Sequence, residues 1–358
     1  MKKIFLILVL AFVIFAKGYA QHINTTDNVI IIDFQTTSDP DKQVHGIFNR
    51  TSTVSYERDE SVFLRLDGIL NTSEYFNIYI TELITHFHSD HISLSVLDRM
   101  IKNLSFRRLL APIPDLDVSR NRTFDYLWSA GENENYRHRQ TNRIQELTTI
   151  NEWDFAEIIT SSIGDFDYAA FMYDDDIEIE MFKYRKAVDA NTDGIIYRIT
   201  HKKVSYLLFG DFDDPAGIEN LLDASLANEE RQIEIYREID AIKAQISETD
   251  NLYILNELLN RQLMLYEELS ITPVIQADII KWTHHAHRYE ERYRSIIIKL
   301  NEVVDPLFII YQPHHTQSIE RFKEFIDSFD FKEKFINSAE NQIIIISFPE
   351  GISTWIAS

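Results

Sequence analysis

The chain contains no cysteine among its 358 residues. This absence excludes disulfide bonds, thiolate ligands for zinc, a cysteine nucleophile and a cysteine-linked lipid anchor. Glycine and proline are also scarce, with nine and eight residues, and no linker rich in Pro, Gly or Ser divides the sequence. Any bound metal ion must therefore be held by histidine, aspartate and glutamate.

Long apolar runs are absent after the first residues. Two lysines precede an apolar run from Ile4 to Ala16, and the small residues Gly18 and Ala20 follow it. The run is shorter than the roughly 20 residues that a spanning helix needs. The pattern predicts a signal peptide over residues 1–20, and hence a periplasmic or secreted protein without a stable membrane span. The alternative is a retained N-terminal anchor.

Basic residues are outnumbered, since 35 Lys and Arg stand against 57 Asp and Glu and give a formal charge of −22. Removal of the three lysines of the predicted signal peptide leaves about −25. A surface of this charge repels polyanions at long range. Long nucleic acid is therefore disfavoured as a partner.

The remaining residues, 21–358, are long enough for one large α/β domain. Apolar spacing predicts an amphipathic helix over 93–103, and the topology of about 107–186 stays unassigned. Runs of apolar or alternating residues predict the strands. These strands are 28–34, 61–66, 78–84, 194–200, 204–209, 306–311 and 342–348.

A segment at about 218–269 is free of Gly and Pro. Its Ile and Leu residues recur at spacings of three and four on both sides of a polar turn, which predicts an antiparallel hairpin of two helices of about 20 residues. We interpret it as an insertion that supplies no ligands. It is either a rigid structural arm or an element for dimerisation or for a lid, so an oligomer through the hairpin stays open.

The residues that indicate chemistry are His86, His88, Asp90 and His91, which form the pattern H-x-H-x-D-H. They follow the predicted strand 78–84. Four ligand-type residues within six positions on such a loop suit two cations a few ångströms apart. Imidazole and carboxylate ligands without sulfur favour zinc, with manganese or iron as alternatives.

This pattern resembles the signature of the metallo-β-lactamase superfamily. The resemblance implies an αββα sandwich, here with the helical hairpin as an insertion, and two metal ions. The sequence Leu207-Leu208-Phe209-Gly210-Asp211 is similar to the superfamily's strand whose terminal Asp bridges both metals. The implied ligands are His86 and His88 for the first metal and Asp90, His91 and His284 for the second, with Asp211 shared.

A narrower resemblance is to the extracellular domain of the competence protein ComEC and its relatives. The segment from Ala277 to His287 is similar to their A-D-x-L-K-x-x-H-H-G-S, which implies that His284 is a ligand and that His285 is a second contact. Residues 191–198 resemble their N-D-N-S-L-V-L-R strand. Asn191 then stands where other members of the superfamily carry a third histidine, so either its amide oxygen or water completes the first site.

The segment from Ile309 to His315 is similar to a late strand of the same relatives that leads to a histidine near the mouth of the site. The sequence leaves open whether this histidine is His314 or His315. The chain also departs from the family at several glycines, because Ile92-Ser93 replaces a pair of glycines and Ala286-His287 replaces Gly-Ser. Tight loops near the site must therefore be built differently.

Together these patterns predict an exported hydrolase in which hydroxide activated by the metal ions attacks a phosphodiester or other ester, with Asp90 as the catalytic base. Small or short phosphodiesters are the expected substrates. Two alternatives stay open. The first is a β-lactamase or lactonase, and the second is a degenerate metal-binding protein that docks a partner.

Overall fold

A computed structural model describes part of the chain. The described residues are 29–35, 43–44, 80–87, 106–111, 114–119, 146–149, 159–174, 177–201, 204–283, 290–311, 316–337, 342–348 and 351–357. Several sequence predictions lie outside them, namely the signal peptide, the strand 61–66, the helix 93–103, His88, Asp90, His91, His284, His285, His314 and His315.

The described strands form three sheets of eight, four and three strands. In chain order they are β1 Val29–Gln35, β2 Gln43–Val44, β3 Ile80–Leu83, β4 Phe106–Ala111, β5 Glu146–Thr149, β6 Ile159–Ile163, β7 Phe166–Asp174, β8 Ile177–Tyr184, β9 Ile195–His201, β10 Val204–Leu208, β11 Ile279–Lys281, β12 Phe308–Tyr311, β13 Phe335–Asn337, β14 Gln342–Phe348 and β15 Gly351–Ala357.

Four α-helices lie within the described ranges. They are α1 Pro215–Glu248, α2 Leu252–Ser270, α3 Glu291–Val304 and α4 Thr316–Asp327, with short 3-10 helices at Asp117–Ser119 and Lys332–Lys334. The cap of α1 is Asp214, whose carboxylate accepts from the amide of Ala216 beside a proline in the first turn, and the cap of α2 is Asn251, which accepts from two amides. Both caps satisfy amides that lack a helical partner. None of these helices is long and apolar enough to cross a membrane.

The eight-stranded sheet has the order β13-β12-β11-β10-β9-β8-β7-β6. Strands β6 to β10 pair antiparallel, because short connections join them; the turn between β6 and β7 uses Gly164 at a positive φ of 54°. Strands β10 to β13 pair parallel, because helices cross between them. The carboxyl ends of β10, β11 and β12 therefore meet at one edge.

Helices cover one face of this sheet. Apolar side chains that alternate along the strands, such as Phe182, Ile196 and Leu207, pack against Ile218 of α1 and Ile297 of α3. The buried residues of α3 recur at Tyr293, Ile296, Ile297, Leu300 and Val304, which is the spacing of one helical face. Burial of this face holds the helices on the sheet.

The opposite face of the eight-stranded sheet meets the three-stranded sheet. Its core includes Ile195, Tyr197 and Leu208, and the fully buried Leu83 of β3 packs into the same cluster. Strands β3, β4 and β5 are parallel, whereas the four-stranded sheet, of order β15-β14-β1-β2, is antiparallel. The molecule is thus mixed α/β, with helices on one face of its main sheet and a second sheet on the other.

The helical hairpin differs in extent from the sequence prediction. Helix α1 has 34 residues and begins within the main core, where Ile218, Leu221 and Leu222 are buried. Farther along, Ile235, Ile239, Ile242 and Leu265 form a separate cluster between α1 and α2. The first turns of α1 therefore belong to the α/β domain, because their apolar residues face the sheet, and only the distal part forms the paired arm.

One charged pair is buried on the helical face of the sheet. The Arg198 guanidinium donates to Glu180, and the Tyr168 hydroxyl donates to the same carboxyl group over 2.9 Å. Burial raises the pKa of Glu180, and the nearby guanidinium offsets only part of this effect. Each group thus depends on the others for its hydrogen bonds.

We predict that Glu180→Gln lowers the free energy of unfolding by about 3 kcal/mol, because it leaves the Arg198 charge buried without its counter-ion. The measurement is urea denaturation. Asp167→Asn is the matched control, since Asp167 pairs with Arg185 in solvent and its loss should cost less than about 1 kcal/mol. Equal losses in the two variants would contradict the prediction.

Candidate metal centre

The first histidine of the sequence pattern lies where β3 ends against the main sheet. The segment Ile84–Phe87 is buried. Its backbone is held from two sides, since the Tyr197 hydroxyl donates to the Ile84 carbonyl over 3.0 Å and the Ile195 amide donates to the Thr85 carbonyl over 2.8 Å. Strand β9 thereby fixes the start of the loop that carries the histidine pattern.

Two glycines allow this loop to approach the sheet. A Cβ at Gly194 would lie 2.8 Å from the Thr85 carbonyl oxygen and 3.2 Å from the His86 Cβ. A Cβ at Gly210 would lie 2.6 Å from the Thr85 Oγ1, and Gly210 has a φ of +59°. Such contacts exclude a side chain at either position without movement of the loop. Thr85 is thus clasped between the start of β9 and the turn after β10.

His86 and Asp211 are brought together by this clasp. The His86 Nε2 lies 3.6 Å from the Asp211 Oδ2, with both side chains almost fully buried. The other ring nitrogen, Nδ1, lies 3.1 Å from the Thr85 hydroxyl. A histidine that binds a metal through Nε2 carries its proton on Nδ1, and the Thr85 oxygen is placed to accept it.

The pair fits a metal ion in both chemistry and spacing. Two ligands about 2.1 Å from a tetrahedral zinc ion are about 3.4 Å apart, close to the observed 3.6 Å. Imidazole nitrogen and carboxylate oxygen are both donors that zinc accepts. The two residues can therefore share one cation.

Further sequence candidates follow the parallel strands of the main sheet in the chain. Leu208 of β10 is in register with Lys281 of β11, so Asp211 and His284 each follow a matched strand position by three residues. Lys281 is in turn in register with Ile310 of β12, four residues before His314. The Thr283 hydroxyl donates to the Phe212 carbonyl, which ties the two strand ends together.

Asn191 lies in the turn that leads into β9. It is half-buried, and its carbonyl oxygen is 3.4 Å from the position of a Cβ on Gly194. The turn is stabilised locally, because the Thr192 amide and hydroxyl both donate to the Asp189 carboxylate. The residue predicted to replace the third histidine is therefore on the turn that contacts the His86 loop.

Asp193, which the sequence analysis did not single out, anchors a second segment to this turn. Its buried carboxylate accepts from the amides of Asp115 and Leu116 over 3.1 and 2.8 Å and lies 3.3 Å from the Lys183 ammonium. All its described partners are structural. Its position before Gly194, at the start of a strand, is the sequence signal that could have indicated this structural role.

Of the predicted ligands, the described residues include His86, Asp211 and Asn191. The structure brings His86 and Asp211 into one site and places Asn191 on the adjoining turn. Within the described part of the chain, no group of three or more His, Asp or Glu side chains is arranged to hold a metal ion. The remaining candidate ligands lie in the undescribed segments that follow Phe87, Thr283 and Tyr311.

Comparison with known proteins adds no family assignment. No protein-family model matches the chain, and no curated protein matches its sequence.

We predict that Gly210→Ala lowers the free energy of unfolding by at least about 2 kcal/mol, because the variant adds both a left-handed backbone strain and a clash with Thr85. Urea denaturation measures the loss. Gly210→Asn separates the two causes, since asparagine tolerates a positive φ but carries the same Cβ. The clasp predicts that asparagine is also strongly destabilising; recovery of wild-type stability by asparagine would show that the contact with Thr85 is unimportant.

Proposed function

We propose that the chain is an exported metal-dependent hydrolase of the metallo-β-lactamase superfamily, similar to the ComEC subgroup. The observation that carries the proposal is the buried pair of His86 and Asp211, held 3.6 Å apart where β3 meets the ends of the parallel strands. Within the mixed α/β architecture, the proposal assigns the αββα sandwich of that superfamily. The two sheets that meet at Leu83 would then be the two β-layers of the sandwich.

The metal ligands of the proposal all follow strand ends. We assign two zinc ions, with manganese or iron as alternatives. His86 and His88 would hold the first ion, Asp90, His91 and His284 would hold the second, Asp211 would be a ligand for both, and Asn191, His285 and His314 are additional candidates. When bound, two divalent cations lower the pKa of a coordinated water to about 7 and polarise the bond under attack.

The chain's own residues then position and move a proton. Thr85 would accept a hydrogen bond from the Nδ1–H of His86 and so leave the Nε2 lone pair free for a cation that Asp211 shares. Asp90 is the proposed catalytic base, which orients the attacking water and takes its proton. Gly194 and Gly210 keep the Thr85 backbone in place, so that the histidine loop needs little reorganisation during the reaction.

The proposed substrate is a small phosphodiester. Two divalent cations against the two carboxylates Asp90 and Asp211 leave the site locally positive, which attracts an anionic group and stabilises charge on a phosphoryl oxygen. The formal charge of −22 over the whole chain repels a long polyanion. Short phosphodiesters are therefore favoured over long nucleic acid.

One observation favours a second candidate function. Asn191 stands on the turn whose Gly194 packs against the His86 loop, and the resemblance to the ComEC relatives assigns it the position of the missing third histidine. A weakened first site suits a metal-binding protein that docks a partner and does not turn over substrate. Metal retention without turnover of any ester, phosphodiester or lactam would favour this reading of the site.

We predict about two zinc ions per chain after gentle dialysis, with one ion held less tightly because Asn191 is a weaker donor than histidine. Elemental analysis measures the content. Asp211→Asn should lower it, whereas Asp327→Asn, on the surface beside Lys332, should leave it unchanged. Absence of any transition metal even after reloading with zinc would exclude the metalloenzyme.

We predict that the zinc-loaded protein hydrolyses a chromogenic phosphodiester faster than a chromogenic β-lactam. Asp90→Asn should lower kcat by about 10²-fold or more, since it removes the catalytic base, and Asp327→Asn serves as the control. Cleavage of a short oligonucleotide should accelerate with salt as repulsion is screened. Turnover of the β-lactam alone, lost in Asp90→Asn, would transfer the assignment to lactam hydrolysis.

A further inference from the structure

The distal hairpin has two unlike flanks. Its seam is filled by Ile235, Ile239 and Ile242 of α1 and by Leu265 of α2. In each helix, the residue just before such a seam position lies on one side of the hairpin, and the residue just after it lies on the other side. Because the two helices run antiparallel, the residues just before a seam position lie on the same side of the hairpin in both helices.

The first flank is closed by ion pairs between the helices. Arg231 lies 2.7 Å from Glu268, and Arg261 lies 3.3 Å from Glu238. Met264 belongs to this side, since it lines the same groove as Arg231, Glu238 and Arg261. The charged groups of this flank are thus already paired within one chain.

The second flank is apolar and faces solvent. We define the apolar flank as Ile233, Tyr236, Leu259, Leu263 and Tyr266, which are between 43% and 57% exposed. The register of the ion pairs sets Tyr236 opposite Leu263 and Ile233 opposite Tyr266, so that side chains from both helices form one patch. Helix α2 is therefore apolar on two adjoining sides, of which α1 covers one.

The exposed area of the apolar flank matches what a dimer requires. At about 200 Å² for a large apolar side chain, the fractional exposures amount to roughly 500 Å². Homodimer interfaces are about 65% apolar, so a patch of this size implies an interface of about 770 Å² per copy, close to the roughly 800 Å² of a standard stable interface. Apolar patches of roughly this size on a protein surface are often functional.

Charge favours a second copy over a membrane surface. The charged residues that follow a seam position on this side are Glu229, Asp240 and Lys243, and the Lys243 ammonium lies 3.5 Å from the Asp240 carboxylate. Helices that lie on lipid are rich in Lys and Arg, and Lys243 is the one base among these residues.

We propose that the apolar flank is a homodimer interface, in which the hairpins of two copies pack across a two-fold axis as an antiparallel four-helix bundle. A two-fold axis buries the same patch on both subunits, and antiparallel hairpins with apolar seams form such bundles. Tyr236 and Leu263 lie at the centre of the contact. The proposal does not depend on the hydrolase activity.

The test is analytical ultracentrifugation of the whole chain over a range of micromolar concentrations. The wild type should form a dimer whose association strengthens with salt, because salt screens the repulsion between acidic copies. Leu263→Glu should weaken association at least tenfold, since it buries like charges across the axis. Met264→Glu is the matched control, because Met264 is the next residue, is 67% exposed and lies on the ion-paired flank; it should leave the dimer intact.

Both variants keep the same N-terminal apolar segment, so a difference between them arises from the hairpin. Leu263→Ser with Leu259→Ser repeats the test without added charge and should also dissociate the dimer, whereas Met264→Ser should not. A wild type that stays monomeric overturns the proposal, whether or not it binds phospholipid vesicles. A dimer that Met264→Glu weakens as much as Leu263→Glu does overturns it as well.

Discussion

The steric clasp around Thr85 is the constraint on which the candidate site depends. The hydroxyl and Cβ of Thr85 occupy the space that a side chain at residue 210 would take, and the Thr85 carbonyl occupies that of residue 194. These contacts, with the amide of Ile195, fix where the small sheet meets the large one. The distance between His86 and Asp211 follows from this docking, because each residue is adjacent to a clasped position.

Electrostatics divides the molecule into regions with different roles. Acidic groups dominate the composition, and two buried carboxylates of the described residues are neutralised, Glu180 by Arg198 and Asp193 by Lys183 and two amides. Desolvation makes an unpaired charge in such places very costly. A pair of ligand-type side chains next to these satisfied groups therefore stands out as a place for chemistry.

The sequence predicted those elements whose signal is local. The strands at 194–200, 204–209 and 342–348 agree with β9, β10 and β14 within a residue or so, because runs of apolar and β-branched residues specify them directly. Strand β11 has three residues, too few for a periodic signal, and the meander of β6 to β8 is defined by pairing between strands.

The first turns of α1 were assigned to an insertion, since periodicity shows an apolar face but not which surface it meets. The proximity of His86 and Asp211 depends on contacts between residues that are more than a hundred positions apart in the chain. In a chain with so few glycines, Gly194 and Gly210 were the sequence signal that could have indicated these contacts.

Helix α1 gives the molecule a mechanical property. Its 34 residues run without interruption from the core, four positions after Asp211, to the tip of the arm, a length of about 50 Å. A helix of this kind transmits force as a stiff lever. A tilt of about 5° at its base displaces the tip by roughly 4 Å. Conversely, a displacement of the tip by roughly 4 Å requires a rotation of only about 5° beside Asp211. Movements of several ångströms at the tip of the arm thus correspond to only small displacements at the strand ends.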